Sequence, residues 1–191
     1  MQKPNIDPKL QLESQRLHLR QPSEVDVPHV FSATRFSGFN DGMLWEPPDH
    51  PDEILAVLPK TLQAWTEGSG FAFSIYQKSD DTFLGRISIR ATPDSSVWNV
   101  GFWSHPAQQG KGVMTEALHT ILQFGFQIIK AQSIEAEYAT WNKASERVLS
   151  KNGFQFVEHI PKGFQKHGVW VPENKVVITK EDWLKRTGNP K

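Results

Sequence analysis

The sequence predicts an α/β fold: a single domain with one mixed sheet and helices on both of its faces. Three apolar stretches, "GFAFSIYQK", "TFLGRISIRA" and "SVWNVGFWS", are joined by short polar connections, which is typical of an antiparallel meander. The spacing of apolar residues then becomes helical over residues 113–130 before strands return. A chain of 191 residues is long enough for one substantial core, and we expect residues 1–191 to form one domain.

The predicted order of elements is β-α-α-β-β-β-α-β-α-β-β, with six to seven strands in the sheet. Its first half begins after a loose tail at residues 1–11. The stretch "RLHLRQ" alternates like a half-buried strand, and Ser23 is a suitable cap for the helix that follows. Residues 51–67 are predicted as a second helix. Its apolar residues recur at helical spacing, at Ile54, Leu55, Leu58, Leu62 and Trp65.

The second half continues with the long amphipathic helix over residues 113–130. "SIEAEYAT" is predicted as a strand, and "NKASERVLSKNGF" as a helix with Asn142 as its cap and Gly153 as its left-handed end. The last two strands are predicted at "FQFVEHI" and "KVVITK", with a loop between them. Residues 180–191 are expected to be a C-terminal extension.

The composition excludes several classes of function. Lys plus Arg equals Asp plus Glu at 21 each, so no overall field attracts nucleic acid or an acidic membrane, and we expect neither as a partner. The absence of cysteine excludes disulfides, thiolate metal sites and an intermediate carried on a protein thiol. No apolar run approaches the roughly 20 residues of a membrane span, and the N-terminus lacks a signal core, so we expect a cytoplasmic protein.

The stretch "QQGKGVMTEAL" places two glycines and a lysine between a strand and a helix. The free N–H groups and the dipole at the start of a helix favour an anion such as a phosphate. An ordinary tight connection is the simpler reading of this motif alone. The motif lacks the earlier glycine and the Ser or Thr of a P-loop, and no parallel βαβ unit opens the chain as in a Rossmann fold.

Four stretches together resemble the GCN5-related N-acetyltransferases, and within them the Rim-type protein N-terminal acetyltransferases. They are "ESQRLHLRQPSEVD", "GFWSHPAQQGKG", the glycine-rich turn and "NKASERVLSKNGF", in that order from residue 13 to residue 154. The turn resembles the family's pyrophosphate loop, which runs Gln or Arg, two residues, Gly, one residue, then Gly or Ala. Met114 stands at the last position of that pattern, where a small residue is usual.

This resemblance implies acetyl-CoA as cosubstrate, no metal, and direct transfer of the acetyl group without an acyl-enzyme. It also implies that the strand Val97–Ser104 diverges from the strand at residues 133–140, with pantetheine in the gap and a backbone N–H as oxyanion donor. The implied cofactor-binding residues are Phe102, Trp103, Ser104, Gln109, Gly110, Lys111, Gly112, Val113, Met114, Thr115 and Asn142.

By the same resemblance, Ser145 is the candidate general acid for the leaving thiolate. Its alternative role is to help the helix start. Asn142 is expected to cap that helix and to bond the cofactor arm, although capping alone would also explain it. Tyr138 is a second candidate proton donor, unless strand alternation places it in the core.

The general base is harder to assign, because Asn99 stands where many such enzymes have a glutamate and an amide cannot take a proton. Glu137 on the next strand and Asp94 before this one are the candidate carboxylates. Three further titratable groups have simpler roles at a helix start, in a loop or at a strand end: Glu116, His105 and His159.

A site without a strong general base favours an acceptor amine that loses its proton readily. A protein α-amine has a pKa of about 7.7 to 8.0 and a lysine amine one of about 10.4, so the former loses its proton more readily. We therefore expect a protein N-terminus, such as that of a ribosomal protein, as the acceptor. A small amine such as a polyamine, amino acid or antibiotic is the alternative, and a catalytically silent CoA-binding module is another.

Two segments are expected to form the acceptor groove, "FNDGMLWEPPDHPDE" and the final loop "PKGFQKHGVWVPEN". Aromatic residues and prolines could form its walls: Trp45, Pro47, Pro48, Trp170 and Pro172. Acidic residues could attract a cationic amine or remain simply solvated: Asp41, Glu46 and Asp49. A homodimer is an assembly state that the sequence leaves open.

Overall fold

The centre of the fold is an eight-stranded mixed sheet in the order β1-β2-β3-β4-β5-β6-β8-β7. A computed structural model describes residues 4–188. Every neighbouring pair of strands is antiparallel except β5 and β6, which run parallel. The strands are β1 Leu12–Glu13, β2 Leu17–Arg20, β3 Gly70–Gln77, β4 Phe83–Ala91, β5 Val97–Ser104, β6 Ser133–Ala139, β7 Gln155–Lys166 and β8 Val169–Thr179.

Helices cover both faces of this sheet, as predicted. Val30 and Ile54 bring the first two helices onto Tyr76 and Phe83 on one face, while the remaining helices pack on the other face. The helix at residues 113–123 continues as a π-helical segment, Phe124–Ile129. The helices are α1 Val27–Thr34, α2 Pro51–Thr66, α3 Val113–Gln123, α4 Lys143–Lys151 and α5 Lys180–Thr187.

The strand count is higher than the six to seven predicted, and one predicted loop is wrong. β1 is a two-residue strand that the sequence pattern did not indicate. Residues 161–174, predicted as a loop, belong mostly to the long hairpin of β7 and β8. His167 and Gly168 form its turn with φ angles of 49° and 78°, and two positive φ angles suit the right-handed twist of a hairpin. A His-Gly pair is a weaker turn signal than Asn-Gly, which is why the pattern did not reveal it.

Both ends of the described chain contact the core. Ile6 and Leu10, in the segment expected to be a loose tail, pack against it, and Trp65 Nε1 donates to the Ile6 carbonyl at 3.2 Å. The expected C-terminal extension begins as α5, whose Trp183 ring is 2% exposed and lies 5.3 Å from the Phe126 ring. Residues 1–3 and 189–191 lie outside the described part of the chain.

An aromatic cluster between the sheet and its helices makes β3, β4 and β5 a firm base for the site. The Trp65 ring lies 5.2 Å from Phe71 and 4.9 Å from Phe73, and Phe124 packs edge-on against both phenylalanines. Fully burying one such side chain contributes about 1.5 to 3 kcal/mol. Rigid packing on this face of the sheet therefore fixes the strands that carry the site.

Candidate active site

β5 and β6 pair over only three residues and then separate. Their last register pair is Asn99 with Glu135. Beyond it, β5 stays with β4 as far as Ser104, and β6 stays with β8 as far as Ala139. The predicted divergence is confirmed, and we call the resulting wedge, which opens toward Ser104 and Ala139, the splay.

The backbone of β5 presents hydrogen-bonding groups to the splay. The N–H of His105 donates to the carbonyl of Leu84 in β4 at 2.9 Å, and backbone groups of a strand alternate between its two neighbours. Those of Phe102 and Ser104 therefore point into the splay, whereas those of Trp103 point toward β4. The three residues expected to bind the cofactor through their backbones are thus divided between the two sides of the strand.

The glycine-rich turn enters α3 with its backbone uncovered. Gly110 and Gly112 have φ angles of 79° and 73°, in the left-handed region that favours glycine. A Cβ on Gly110 would meet no atom within 4 Å. Within residues 4–188, no N–H group of residues 110–115 donates a hydrogen bond to another residue. A row of free donors therefore lies at the positive end of the α3 dipole.

The other side chains of this turn leave those donors accessible. Val113 and Met114 are 4% and 5% exposed and point into the core, so the bulky Met114 does not cover the turn. Lys111 is exposed, and its Nζ donates to Gln108 Oε1 at 2.7 Å. Gln109 is also exposed. Lys111 thus places a cation beside the backbone donors, and Arg16 adds a second one, since its Nη1 donates to the Lys111 carbonyl at 3.1 Å.

Glu116 anchors the start of α3 to the turn before β2. Its carboxylate accepts from Ser14 Oγ at 2.7 Å, from the Arg16 N–H at 2.8 Å and from Arg16 Nε at 2.6 Å. Burial raises the pKa of Glu116, but these hydrogen bonds outweigh it and leave that pKa below its ordinary value. Glu116 is expected to complement the helix dipole, and its position in the first turn of α3 agrees with that role. The anchoring by Ser14 and Arg16 comes from a segment far away in the sequence.

An open cavity of about 390 Å³ lies beside this turn, between the start of α3 and the end of α4. Asn152 at its edge donates to the carbonyls of Thr115, at 3.2 Å, and Val148, at 2.9 Å. These bonds tie the two helices together along the wall of the cavity. Its lining residues are Gly112, Thr115, Glu116, His119, Lys151 and Asn152.

Asn142 caps α4 as predicted. Its Oδ1 accepts from the N–H of Ser145 at 3.0 Å. Ser145 is half-buried in the first turn of α4, and within the described part of the chain its hydroxyl makes no hydrogen bond. Ser145 therefore supports the start of the helix through its backbone, and its hydroxyl is free for another partner.

Two of the alternative candidates are occupied elsewhere. Tyr138 is 8% exposed and belongs to the core, where its hydroxyl lies 3.4 Å from Asn174 Nδ2. Asp94 lies at the opposite end of β5 from the splay. It accepts from Ser96 Oγ at 2.7 Å and from the Ser96 N–H at 2.9 Å, and these bonds lower its pKa.

Asn99 and Glu137 meet on the sheet face that α1 and α2 share. Asn99 Nδ2 donates to Glu137 Oε2 at 2.7 Å, and Asn99 Oδ1 accepts from Arg90 at 3.0 Å. The other oxygen of Glu137 lies 3.8 Å from Lys175 Nζ. A carboxylate from β6 therefore stands directly beside the β5 position where a glutamate was expected, and Asn99 orients it.

Glu173 is a carboxylate of this face that the sequence patterns did not single out. It pairs with Ala139 at the end of β6, and its side chain lies over Gly163, where a Cβ would come within 2.4 Å of Glu173 Oε2. Burial, and then the charge of Glu137, raises the pKa of Glu173. Only the register of β6 and β8 brings it near Glu137, so a local pattern could not have found it.

The connection between α1 and α2, residues 35–50, crosses the mouth of the splay, and we call it the bridging loop. On the β5 side, the Phe39 ring packs edge-on against Trp103 at 5.2 Å. On the β6 side, a Cβ on Gly42 would lie 3.1 Å from the Trp141 ring. The predicted groove residue Trp45 belongs to this loop and is 38% exposed.

The two candidate histidines have local partners. His105 Nε2 lies 2.9 Å from Ser32 Oγ, and its Nδ1 accepts from the Ala107 N–H. Burial, and then the charge of His29, lowers the pKa of His105. His159 Nδ1 lies 3.1 Å from Asn174 Oδ1, on the β7–β8 hairpin.

The described residues show neither a metal site nor a membrane span. Residues 4–188 hold no group of three or more His, Cys, Asp or Glu side chains that could bind a metal ion. None of the helices in the same range is both long and apolar enough to cross a membrane.

Comparison with known proteins identifies the family. The sequence profile of the acetyltransferase (GNAT) domain matches residues 16–155. The chain belongs to this GNAT family. The probable N-acetyltransferase YjcK of Bacillus subtilis (strain 168) is 32% identical over 116 residues, which are 59% of this chain and 63% of that protein. The uncharacterized N-acetyltransferase YnaD of the same strain is 29% identical, over 58% of this chain and 65% of that protein. The GNAT chain thus spans less than two thirds of either relative.

Solved structures share the fold of this GNAT domain. RimL, a ribosomal L7/L12 alpha-N-protein acetyltransferase solved with coenzyme A, has a TM-score of 0.81 and 17% identity, over 89% of this chain and 98% of RimL. RimJ of Mycobacterium smegmatis, solved with CoA-disulfide, has a TM-score of 0.76 and 22% identity, over 90% and 89%. The microcin C7 self immunity acetyltransferase MccE, solved with acetyl-CoA and AMP, has a TM-score of 0.78 and 17% identity, over 87% and 93%.

Proposed function

We propose that this GNAT domain is an N-acetyltransferase that moves an acetyl group from acetyl-CoA directly to a primary amine, in particular the N-terminal α-amine of a protein such as a ribosomal protein. The observation that carries the proposal is the splay between β5 and β6. The free backbone donors of residues 110–115 lie at one side of it, and the carboxylate pair of Glu137 and Glu173 lies at the other. A donor and an acceptor could therefore meet in the gap.

The residues on the α3 side fit the donor. The free N–H groups of residues 110–115 would hold the pyrophosphate of CoA at the start of α3, with Lys111 adding a positive charge. The backbone groups of Phe102 and Ser104 that point into the splay would bond the pantetheine arm, and Asn142 at the start of α4 would bond the same arm. RimL and MccE are solved with coenzyme A and acetyl-CoA respectively, which supports this assignment.

Acetyl-CoA supplies the acetyl group as a thioester, and the residues of this chain manage the protons. Glu137 takes one proton from the acceptor ammonium, so that the neutral nitrogen can bond to the acetyl carbon. The N–H of Phe102 or Ser104 donates to the carbonyl oxygen as it gains charge. As the carbon–sulfur bond breaks, Ser145 Oγ gives its proton to the sulfur, and the second proton of the nitrogen restores the hydroxyl through solvent.

The acidic groups of the site and the pKa of the acceptor support an α-amine as the acceptor. Glu137 and Glu173 face the same side of the sheet and favour a cation. The pKa of an α-amine is roughly 2.5 units below that of a lysine amine, so an α-amine loses its proton more readily near neutral pH. RimL, which shares the fold, is a ribosomal L7/L12 alpha-N-protein acetyltransferase, and this supports a protein N-terminus as the acceptor.

Release of the CoA thiol by the purified protein tests the proposal. The acceptors are peptides with different N-terminal residues, the same peptides with blocked N-termini, a polyamine, free amino acids, an aminoglycoside and no acceptor. We expect release with free N-terminal peptides and a matching mass increase of the peptide. Turnover of small amines alone would favour the second candidate. Binding of acetyl-CoA without any turnover would mean a silent CoA-binding module.

A thermal shift experiment tests the donor separately. Because the turn offers donors for a pyrophosphate, acetyl-CoA should raise the melting temperature more than ATP or NAD at equal concentration. Equal stabilisation by ATP would contradict the assignment of acetyl-CoA.

A further inference from the structure

The bridging loop packs against Trp103 and Trp141, but its backbone makes few hydrogen bonds to the rest of the molecule. Within residues 4–188, the backbone hydrogen bonds of its central part connect near neighbours, such as Asp41 N–H to the Gly38 carbonyl at 3.3 Å and Met43 N–H to the Asn40 carbonyl at 3.0 Å. Asn40 Nδ2 likewise donates within the loop, to the Trp45 carbonyl at 3.2 Å. Such local turns fix the shape of the loop but not its place over the splay.

Lys166 supplies hydrogen bonds to the loop from another part of the chain. This residue ends β7, and its Nζ donates to the carbonyls of Asn40 at 2.7 Å, Met43 at 3.0 Å and Trp45 at 3.4 Å. Glu46 Oε2 lies 3.6 Å from the same nitrogen, and the side chain of Lys166 is only 10% exposed. One ammonium from the β7–β8 hairpin thus donates to three carbonyls of a loop that is more than 100 residues away in sequence.

The hydrogen-bonding capacity of the ammonium fits this arrangement. A lysine has three N–H donors, and here three carbonyls accept from them. A charge in a largely buried place is tolerated when it is paired and hydrogen-bonded. Removing it would leave the partly buried Met43 carbonyl without a donor, which is more costly than losing an exposed hydrogen bond. The Asn40 carbonyl would keep the Met43 N–H and the Trp45 carbonyl would keep Asn40 Nδ2, so the loop would lose its hydrogen bonds to β7 but not its internal turns.

We propose that Lys166 is a positioning residue for the acceptor: it holds the bridging loop across the mouth of the splay, so that the acceptor cleft is formed before the acceptor arrives. The inference rests on the proposed function for the identity of the cleft. Trp45, a predicted wall of the groove, accepts from Lys166 through its carbonyl. Loss of the lysine would therefore let this wall shift. The donor site at residues 110–115 does not contact Lys166 in the described chain.

The decisive variant is Lys166→Met, which keeps the length of the side chain and removes the ammonium. Its matched control is Lys185→Met, the same change at an exposed lysine of α5, because Lys185 Nζ lies 2.7 Å from Glu181 Oε1 and does not reach the loop. We expect Lys166→Met to raise the KM for a peptide acceptor at least about tenfold and to lower kcat less, with the Kd for acetyl-CoA unchanged. Lys166→Arg should restore part of the acceptor affinity.

Hydrogen exchange provides a readout that does not depend on activity. In Lys166→Met, amides of residues 37–46 should exchange faster, at least about tenfold, while those of β3 and β4 keep their rates. Lys185→Met should exchange like the parent protein. If Lys166→Met proves unable to fold, Lys166→Gln, which retains two donor hydrogens, replaces it in both measurements.

The two measurements separate the possible failures. Unchanged hydrogen exchange of residues 37–46 in Lys166→Met would show that Lys166 does not hold the bridging loop. Faster exchange with an unchanged KM for the acceptor would show that holding the loop does not position the acceptor. If the parent protein transfers acetyl to no amine, the proposed function fails. In that case hydrogen exchange still decides whether Lys166 holds the loop.

Discussion

The two sides of the splay are built in opposite ways. The α3 side is one continuous stretch of chain, and its groups are mostly backbone N–H donors of residues 110–115 at a helix start. The acceptor side combines the bridging loop, β6 and the β7–β8 hairpin, and its groups are side chains such as Glu137, Glu173 and Lys166. Backbone N–H groups do not depend on residue type. They therefore suit the binding of an acetyl donor that all members of a family share.

This difference predicts how the two sides respond to mutation. On the α3 side a substitution matters when it changes the backbone, as at a glycine with positive φ. On the acceptor side a substitution matters when it removes a charge or a hydrogen bond, because side chains hold the segments together. Ser145 and Asn142 lie between the two sides and belong to the chemical step in our proposal.

The largest effect is expected for Ser145→Ala. If the Ser145 hydroxyl protonates the leaving thiolate, kcat should fall by roughly 10² to 10⁴ with little change in CoA binding, as measured by steady-state kinetics and calorimetry. Stability should hardly change, because the hydroxyl makes no hydrogen bond in the described chain and the cap uses the Ser145 N–H.

The contrasting variant is Asn142→Ala, which removes the cap acceptor itself. It should lower the free energy of unfolding by about 1 kcal/mol. If Ser145→Ala destabilised the protein as much as Asn142→Ala and left kcat intact, Ser145 would be a helix-starting residue only.

The next largest effect concerns the base. Glu137→Gln should keep the bond from Asn99 to an oxygen, yet lower kcat/KM for a peptide near pH 7 by about 10². The pH profile of the variant should then follow the acceptor amine alone and rise toward about pH 8. The measurement is kcat/KM against pH for both proteins, with Asp94→Asn as the control, because Asp94 lies at the other end of β5.

Two outcomes would change this assignment. An unaltered rate and profile in Glu137→Gln would mean that solvent takes the proton directly. A parent profile that is level above pH 6 and also persists in Glu137→Gln would point to another base, and Glu173 would be the next residue to replace.

A smaller effect is expected for Gly112→Val. The φ angle of 73° strains a β-branched residue, so the turn should shift and the Kd for CoA should rise by about tenfold to a hundredfold. Gly168→Val is the matched control: it introduces the same strain at a φ of 78° in the β7–β8 turn, where a Cβ meets no atom within 4 Å. An equal loss of CoA affinity in both variants would show a general effect of strain.

The smallest effect is expected for Glu116→Gln, which weakens the anchor between α3 and the turn before β2. The folded protein lowers the pKa of Glu116, so its stabilising effect is present above the pKa of the unfolded chain and is lost as the pH falls through the lower folded value. We expect a loss of about 1 kcal/mol at pH 7. Denaturant titrations of parent and variant should converge in acid, and a difference that grows toward low pH would contradict this sign.

Local patterns in the sequence predicted most of the fold. The meander, α2 and α4 with its Asn142 cap were all predicted from spacing and capping residues, because hydrogen bonds near in sequence form them. The same holds for the glycine-rich turn, whose two positive φ angles need glycine. The backbone geometry of this turn could therefore be predicted from the sequence, and its role in binding a cofactor stays a prediction.

The β7–β8 hairpin and the acceptor side could not be predicted in this way. The His167–Gly168 turn carries a weak signal, and a bulge between Ile160 and Phe164 interrupts the alternation of β7. Glu173 reaches Glu137 only through the register of β8 on β6. Lys166 in turn reaches Asn40 only because the bridging loop crosses the splay.

The sequence by itself determined most of the elements, the Asn142 cap and the glycine-rich turn at the start of α3, since these depend on neighbours within a few residues. Only the tertiary structure decided which side chains meet at the acceptor side. Its contacts join residues more than 30 and up to 126 positions apart, as between Glu137 and Asn99 and between Lys166 and Asn40. Such pairs have no periodicity to reveal them, because strand order and register, rather than distance along the chain, bring them together.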